Sequence, residues 1–170
     1  MTNSRYVIDG EERILAIYFN YLGFGFTYMK NPLEVIEKGM HCITPIDNKK
    51  VIQKVKHLIK RTKPERIVIE DYTGNGSNKS KRVIELLKTI QAYTKRKGIV
   101  LSSYSREQIK LVFSNWHAQT RYEIAEVISR NVEAYRNLLF DKPKYPNVEH
   151  FRSAQFDSAS LGITHYYLSQ

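Results

Sequence analysis

Arg66-Ile67-Val68-Ile69-Glu70 decides the fold class, because this short β-branched run stands between two helical patterns and is typical of a buried strand. Asp47 or Asn48 caps the upstream helix and Pro64 ends it, while Gly98 closes the downstream helix. Each pattern places its apolar side chains on one stripe, at Val51, Ile52, Val55, Leu58 and Ile59 and at Val83, Ile84, Leu87, Ile90 and Ala92. A further strand, Ile99-Val100-Leu101, follows, and this alternation predicts parallel strands joined by helical crossovers.

The chain before this unit has the character of an antiparallel meander. Ile14 to Phe19 is a continuous apolar run, which suits a strand buried on both faces. Phe24 to Met29 has strand propensity and follows a turn, so we expect it to form a hairpin with the first run. A third strand is predicted near Met40 to Ile43. The predicted fold class is therefore α/β, with a mixed sheet that begins antiparallel, continues parallel and is flanked by helices.

The last third of the chain is predicted to be helical. Ser105 to Gln108 and Thr120 to Glu123 both match the capping-box pattern at a helix start. Asp141 to Asn147 contains two prolines and is predicted to be a loop, and a final helix is expected from about Asp157 to Tyr167. No repeat or long linker divides the chain, so residues 1–170 are expected to form a single domain.

The chain is strongly basic. Lys and Arg number 27 and Asp and Glu number 17, which gives a net charge of +10 and a pI near 9.6. The basic residues are clustered at Lys49, Lys50, Lys54, Lys56, Lys60, Arg61 and Lys63, then Lys79, Lys81, Arg82 and Lys88, then Lys95, Arg96 and Lys97. Clustered positive charge favours a polyanionic partner, and nucleic acid is the expected one.

Several classes of protein are excluded or disfavoured by the composition. The single cysteine, Cys42, excludes an intrachain disulfide framework and a cysteine-rich zinc site. No apolar run approaches the roughly 20 residues of a membrane span, and the first residues lack a signal-peptide core. These features favour a cytoplasmic location.

Glu70 is the first candidate for chemistry. It stands at the carboxyl end of a predicted central strand, where α/β sheets place their ligands. The polar, glycine-containing loop from Tyr72 to Asn78 follows, and such a loop can approach phosphate closely. The alternative is an exposed strand-end acid with no ligand. The adjacent Asp71 is expected to point to the opposite side and to be structural.

Asp157 is the second candidate. A carboxylate in the first turn of a helix is commonly a cap or a dipole partner. The small residues Ser158, Ala159, Ser160 and Gly162 let the helix approach a sheet closely, which would bring Asp157 to a strand end. Magnesium prefers carboxylate oxygens, and two such ions about 4 Å apart can clamp the attacking and leaving oxygens of a phosphodiester.

Five stretches of the chain, taken in order, resemble RuvC-type Holliday-junction resolvases of the RNase H-like nuclease superfamily. They are Ile14–Ile17 with Phe24–Phe26, Arg66–Glu70, Tyr104–Lys110, Thr120–Ala125 and Phe156–Leu161. The resemblance implies an RNase H-like sheet with catalytic acids on the first strand, the fourth strand and the last helix. It also implies a Mg²⁺- or Mn²⁺-dependent endonuclease that acts as a homodimer on branched DNA.

The resemblance also shows where this chain departs from the family pattern. Glu70 matches the acid of the fourth strand and Asp157 an acid of the last helix, so these two are the implied metal ligands. The first-strand acid falls at Tyr18, and a second acid of the last helix falls at Ala154. Glu149 lies a few residues earlier and is the third catalytic candidate. A neutral phenol is a poor magnesium ligand, since its pKa is about 10.

Three explanations of Tyr18 stay open at the level of sequence. The protein is a degenerate relative that binds DNA or RNA without cutting it, or other side chains rebuild a metal site, or the first strand is in another register. Asn20, Asp71 and Glu149 are the side chains available for rebuilding, and Asp9 is the early acid that another register would use. Tyr18 would then be the wall of an emptied site, a surface for base stacking, or a core aromatic.

The predicted DNA contacts come from lysines and arginines near the inferred site. Lys79, Lys81 and Arg82 are the first choice, and Lys110 and Arg121 are the second, against the alternative of a solvated helix face. Roles for His150 and Trp116 stay open: a metal ligand or a loop histidine for the first, and a core plug or a base-stacking wedge for the second. The functions left standing are the endonuclease, a non-catalytic nucleic-acid-binding module, and an interaction protein with an incidental basic surface.

Overall fold

One mixed sheet with the strand order β3-β2-β1-β4-β5 organises the protein, which is described here by a computed structural model. The described residues are 11–74, 79–145 and 149–169. The strands are β1 (Ile14–Phe19), β2 (Gly23–Met29), β3 (Val35–Cys42), β4 (Arg66–Glu70) and β5 (Val100–Tyr104). β1, β2 and β3 pair antiparallel, whereas β1, β4 and β5 pair parallel. The predicted fold class is confirmed.

The helices are α1 (Asn48–Thr62), α2 (Lys81–Lys97), α3 (Arg106–Phe113), α4 (Arg121–Asn131) and α5 (Ser153–Leu168). Local signals start four of them, because Asp47, Ser80, Ser105 and Thr120 each accept a backbone N–H in the first turn. Both predicted capping boxes are confirmed. None of the helices in the described part of the chain is long and apolar enough to cross a membrane.

The sheet separates two apolar cores. Successive residues of β1 point to opposite faces, so Leu15, Ile17 and Phe19 pack with α1 and α2. Ile14, Ala16 and Tyr18 pack on the other face with α3, α4 and α5. Ala16 pairs with Val68 in the parallel register, so Tyr18 and Glu70, two residues further along each strand, lie side by side on the α5 face.

Helix α5 approaches the sheet more closely than ordinary side chains allow. Every residue from Ser153 to His165 is buried, and Ser158 and Ser160 have no exposed area. A Cβ on Gly25 would lie 2.4 Å from the backbone of Ala154, so only glycine fits beneath the start of this helix. The small residues of α5 therefore bring Asp157 down to the sheet, as the sequence predicted.

Two element boundaries were predicted wrongly. The final helix begins at Ser153, so Asp157 lies in its second turn and caps nothing; burial of Ser153 and Ala154 against the sheet extends the helix where no capping side chain marks a start. The third strand begins at Val35, which pairs with Met29. Strand β3 pairs with β2 along the whole length of β2, despite the mixed polarity of its residues. Asp9, residues 75–78 of the loop after Glu70, and Pro146 and Asn147 of the proline loop lie outside the described residues.

Candidate nucleic-acid interface

A cleft of about 940 Å³ opens at the carboxyl ends of β1 and β4, where the parallel part of the sheet leaves space for a ligand. Its charged lining is predominantly basic, because six cations face two acids. The cations are Lys79, Arg106, Lys110, Arg121, Lys142 and Lys144, and the acids are Glu70 and Glu149. Such a lining attracts a polyanion and repels a free divalent cation.

Tyr18 forms the floor of the cleft between two cations. It is 2% exposed, and its hydroxyl oxygen accepts a hydrogen bond of 2.6 Å from Nη2 of Arg121. Nζ of Lys79 lies 3.9 Å from the ring centroid, within the range of a cation–π contact. Burial, followed by the negative charge of Asp157, raises the pKa of Tyr18 well above its usual value, so the phenol stays protonated.

Each of the three candidate carboxylates faces a cation. Glu70 ends β4, and its Oε2 lies 2.8 Å from Nζ of Lys79. Asp157 Oδ1 lies 3.8 Å from Nη2 of Arg106. These two carboxylates are therefore paired with Lys79, in the segment before α2, and with Arg106, at the start of α3.

Arg121 joins Tyr18 to the third carboxylate. Its Nη1 lies 3.5 Å from Oε1 of Glu149. Burial by itself lowers the pKa of Arg121, but the surrounding charges, with Asp157 first, raise it above its ordinary value. Burial also raises the pKa of Glu149, although the charge of Arg121 opposes the shift. Arg121 is therefore permanently charged at the centre of the cluster.

Hydrogen-bonding capacity is left over at this place. Across the described residues, the buried side-chain atoms without a hydrogen-bond partner all belong to residues that line this cleft or, in the case of Asp157, to the partner of one that does. They are Glu70 Oε2, Arg106 Nη1 and Nη2, Glu149 Oε1, Ser153 Oγ and Asp157 Oδ2. For Glu70 Oε2 this means that the close ion pair with Lys79 lacks hydrogen-bond geometry. Polar atoms of this kind are costly to bury alone, so they favour a polar ligand in the cleft.

The residues do not fit the divalent metal site that the family resemblance implies. No group of three or more His, Cys, Asp or Glu side chains in the described part of the chain is arranged to hold a metal ion. Magnesium requires several hard oxygen ligands, whereas Glu70 and Glu149 here face Lys79 and Arg121, the two cations that flank Tyr18.

The side chains considered for rebuilding a metal site already have hydrogen-bond or ion-pair partners within the protein. Asn20 Oδ1 accepts the backbone N–H groups of Leu22 and Gly23 in the turn between β1 and β2. Asp71 Oδ1 accepts from the backbone and hydroxyl of Thr73. Asn20 and Glu149 nevertheless both line the cleft, where the side chain of Asn20 also hydrogen-bonds Glu149, and Glu149 reaches Tyr18 through Arg121.

The structure places three of the five predicted DNA-contact residues in the lining of the cleft and two outside it. Lys79, Lys110 and Arg121 line the cleft, although Lys79 and Arg121 are already paired with acids. Arg82 donates to Asn48 Oδ1 and to the carbonyl of Asn20, so it braces the β1–β2 turn. Lys81 is exposed on α2 and does not line the cleft.

Sequence reasoning missed three cations of the cleft. Arg106 stands directly after the capping Ser105, in a segment already matched to the family, and that position was the available signal. Lys142 and Lys144 flank Pro143 in a loop, and nothing in their spacing identified them. Loop residues reach a site through tertiary packing, which local patterns do not report.

The two side chains with open roles are packed. The ring of His150 stacks on Phe140 at 4.8 Å between centroids and on Phe151 at 4.6 Å, at one wall of the cleft. Trp116 is partly buried against the core and meets Phe113 at 5.6 Å and Tyr167 at 5.7 Å between centroids. Both rings thus form part of the packed structure.

Of three comparisons with known proteins, the one with solved structures gives matches. No family model and no curated protein sequence matches the chain. Among solved structures, RuvC of Thermus thermophilus superposes with a TM-score of 0.66 at 15% identity, over 92% of this chain and 95% of that one.

Two further structures share the fold. RuvC of the same organism in complex with a Holliday-junction substrate gives a TM-score of 0.62 at 15% identity, over 92% of this chain and 94% of that one. The yeast mitochondrial Holliday junction resolvase gives 0.61 at 17% identity, over 95% of this chain and 81% of that one. At these identities the similarity establishes the fold, which is that of RuvC, and confirms the resemblance found in the sequence at that level.

Proposed function

We propose that this chain, which has the fold of RuvC, binds branched DNA in the basic cleft and needs no divalent metal to do so. The observation that carries the proposal is the cleft itself. In it, Lys79 and Arg121 flank Tyr18 at the position where the resemblance implies the first-strand acid of a metal site. A solved RuvC holds a Holliday-junction substrate on the same fold, which supports branched DNA as the ligand.

The lining of the cleft suits a nucleic-acid backbone. Lys110, Lys142 and Lys144 form no ion pair with another described residue, so their charges are available to phosphates. Neutralising phosphates releases condensed counterions, which is the main source of affinity in such contacts. Tyr21, also at the cleft, is 57% exposed and offers a ring for stacking on an unpaired base.

Two copies of the chain would match the symmetry of a four-way junction. Such a junction has a two-fold axis, and closed symmetric dimers are the commonest assembly of soluble proteins. The homodimer implied by the resemblance therefore stays part of the proposal.

A metal-dependent endonuclease is the second candidate function. The observation in its favour is that Glu70, Glu149 and Asp157 each leave a carboxylate oxygen without a hydrogen bond around one cleft. Those oxygens are the ligand type that Mg²⁺ or Mn²⁺ prefers. The opposing observation is stronger, because the same carboxylates already face Lys79, Arg106 and Arg121.

A gel-shift experiment with a four-way junction tests the proposal directly. The chain should bind the junction in EDTA at least as tightly as in Mg²⁺, which competes for the phosphates, and more tightly than it binds a linear duplex of the same length. The double variant Lys110→Glu/Lys142→Glu should weaken junction binding by on the order of tenfold or more. The matched variant Lys30→Glu/Arg136→Glu, which lies away from the cleft, should change it little. Equal losses in both variants, or no binding by the wild type, would overturn the proposal.

The same samples decide between the two candidate functions. Labelled junction strands are followed for cleavage in Mg²⁺ and in Mn²⁺, with Glu70→Gln as the comparison. We expect no cuts in either metal. Metal-dependent cuts that disappear in Glu70→Gln would establish the endonuclease and show that the site works with tyrosine at position 18.

A further inference from the structure

The positive charge of the chain is concentrated on two helices. Helices α1 and α2 together contain twelve of the 27 Lys and Arg residues and one of the 17 Asp and Glu residues, Glu85. The rest of the chain is left with fifteen basic and sixteen acidic residues, so it is almost neutral. These two helices therefore account for the whole excess of positive charge.

Both helices lie on the same side of the sheet and present this charge to solvent. Each packs an apolar stripe on the core beneath β1 and β4. Each also precedes a parallel strand, so the two helices run in the same direction across the sheet. The exposed cations are Lys49, Lys50, Lys54, Lys60, Arg61, Lys81, Lys88, Lys95, Arg96 and Lys97.

Hardly any of this charge is neutralised within the protein. Among the described residues, Arg61 is the one cation of the two helices with an ion pair, to Glu37. Lys56 and Arg96 lie over the ring of Tyr93. Neither helix has an acidic residue in its first turn, where one would stabilise the helix dipole. Unpaired like charges along a helix are mildly destabilising, which favours an external polyanion as the partner.

The basic face is continuous with the cleft. At the start of the helices, Arg82 of α2 donates to Asn48 of α1 and to the carbonyl of Asn20 at the cleft. At the far end, Lys60 and Lys63 meet Lys97 around a shallow groove. The face runs the length of α2, which at 17 residues is about 25 Å, or about seven base pairs of duplex DNA.

We propose that the outer surfaces of α1 and α2 form a second DNA-binding face, along which a duplex arm lies after it leaves the cleft. The contact is with phosphates and carries no sequence preference, because lysine side chains on a helix surface act as point charges. The identity of the polyanion rests on the proposed function, whereas the existence of the face rests on the charge distribution alone.

The chemistry of the face favours duplex DNA over a membrane. Helices that lie on a lipid surface insert large apolar side chains below their basic residues. The large apolar residues that are exposed in the described part of the chain lie elsewhere; none belongs to α1 or α2. A surface of lysines without apolar anchors fits a phosphate backbone.

The salt dependence of junction binding tests the face separately from the cleft. The variant Lys54→Gln/Lys60→Gln/Lys88→Gln/Lys95→Gln removes four charges far from the cleft, and glutamine keeps a similar helix propensity. The matched variant Arg13→Gln/Lys30→Gln/Arg130→Gln/Arg136→Gln removes four charges from the remainder of the chain. The dissociation constant is measured for each protein between about 50 and 300 mM salt, on a junction with arms long enough to cover the helices.

We expect the helix variant to lower the slope of log K against log salt by about 3 to 4, and the matched variant to leave it unchanged. If the helix variant keeps the wild-type salt slope and still binds the junction tightly, the proposed second DNA-binding face is overturned while the proposed function stands. If the wild type does not bind the junction, the proposed function is overturned instead. A third outcome is that the wild type binds phosphatidylserine vesicles, the helix variant does not, and the salt slope for DNA is the same in both. That outcome would show a lipid-binding face and would also overturn the inference.

Discussion

Tyr18 determines the chemistry of the cleft at the scale of single residues. Its neutral phenol stands beside Glu70 on the sheet, and its ring and hydroxyl hold Lys79 and Arg121 in place. A carboxylate at this position would pair with these cations or with metal ions. With tyrosine there, the cations pair with Glu70 and Glu149 instead.

The hydroxyl of Tyr18 is expected to contribute to stability. In Tyr18→Phe, Nη2 of the partly exposed Arg121 loses its acceptor at 2.6 Å. Because water can reach a partly exposed donor, the loss is that of one net hydrogen bond, about 1 kcal/mol. Urea denaturation should show a loss of that size, whereas Tyr21→Phe, at an exposed ring, should stay close to wild type. Equal stability of Tyr18→Phe and wild type would show that the Arg121 contact contributes nothing.

Divalent metal is expected to leave the thermal stability of the protein unchanged. A ligand that binds only the folded state raises the melting temperature as its concentration exceeds its dissociation constant. Because the carboxylates of the cleft face Lys79, Arg106 and Arg121, millimolar Mg²⁺ or Mn²⁺ should give no shift. A rise in melting temperature that disappears in Glu70→Gln would show a metal site and contradict this expectation.

Helix α5 governs the site at the scale of secondary-structure elements. It is buried nearly all round and carries Asp157 to the carboxyl ends of the strands. Two glycines let it do so: Gly25 lies under its first turn, and Gly162 lies within it against Met29 and Ile14. The approach at Gly25 is to the helix backbone, whereas the approach at Gly162 is to side-chain ends.

These contacts predict an order of stability for two alanine variants. In Gly25→Ala the new Cβ meets the backbone of Ala154 and Gln155 at 2.4 to 2.6 Å, so the helix itself has to move. In Gly162→Ala the nearest atom is Sδ of Met29 at 2.5 Å, at the middle of a flexible side chain. We expect Gly25→Ala to lose about 3 kcal/mol and Gly162→Ala less, measured as urea midpoints. The reverse order would show that α5 does not rest on β2 as described.

At the scale of the whole molecule, the sheet separates two kinds of surface. Helices α1 and α2 carry the excess positive charge on one side, and α3, α4 and α5 enclose the candidate site on the other. The cleft lies at the strand ends, where the two sides meet. A branched ligand is the kind of polyanion that can occupy both surfaces at once.

A buried histidine at the opposite end of β1 contacts Glu12 and β5, and we expect it to make stability depend on pH. Nε2 of His165 lies 2.7 Å from Oε1 of Glu12, and Nδ1 lies 2.8 Å from the hydroxyl of Tyr104. The neutral ring satisfies both contacts when Nε2–H donates to Glu12 and Nδ1 accepts from Tyr104. Burial lowers the pKa of His165 below its usual value and outweighs the opposing effect of Glu12.

The sign of the pH dependence follows from that lowered pKa. Below the ordinary histidine pKa of about 6.5 the unfolded chain binds a proton that folded His165 does not, so stability falls as the pH falls. The melting temperature should therefore decrease between about pH 6.5 and pH 5. His165→Gln should flatten this decrease, whereas His57→Gln, at an exposed position on α1, should not. An identical decrease in His165→Gln would remove His165 as its source.

Much of the fold was predictable because its signals are local. The β-branched run that ends at Glu70, the apolar stripes beside it and the capping residues Ser105 and Thr120 each report one element. The start of α5 was not predictable in this way, because burial of Ser153 and Ala154 against the sheet, rather than a cap, begins that helix.

The sequence by itself determined the α/β fold class and the basic character of the chain, and it placed Tyr18 where the resemblance implies the first-strand acid. Only the tertiary structure decided what surrounds Tyr18, because Lys79, Arg106 and Arg121 come from three separate segments and meet at the cleft after the sheet and helices have packed. Charge pairing between distant segments depends on distances in space, which no spacing along the chain reports. The same packing collected the lysines of α1 and α2 on one face, since each helix buries its apolar stripe and leaves its cations to solvent.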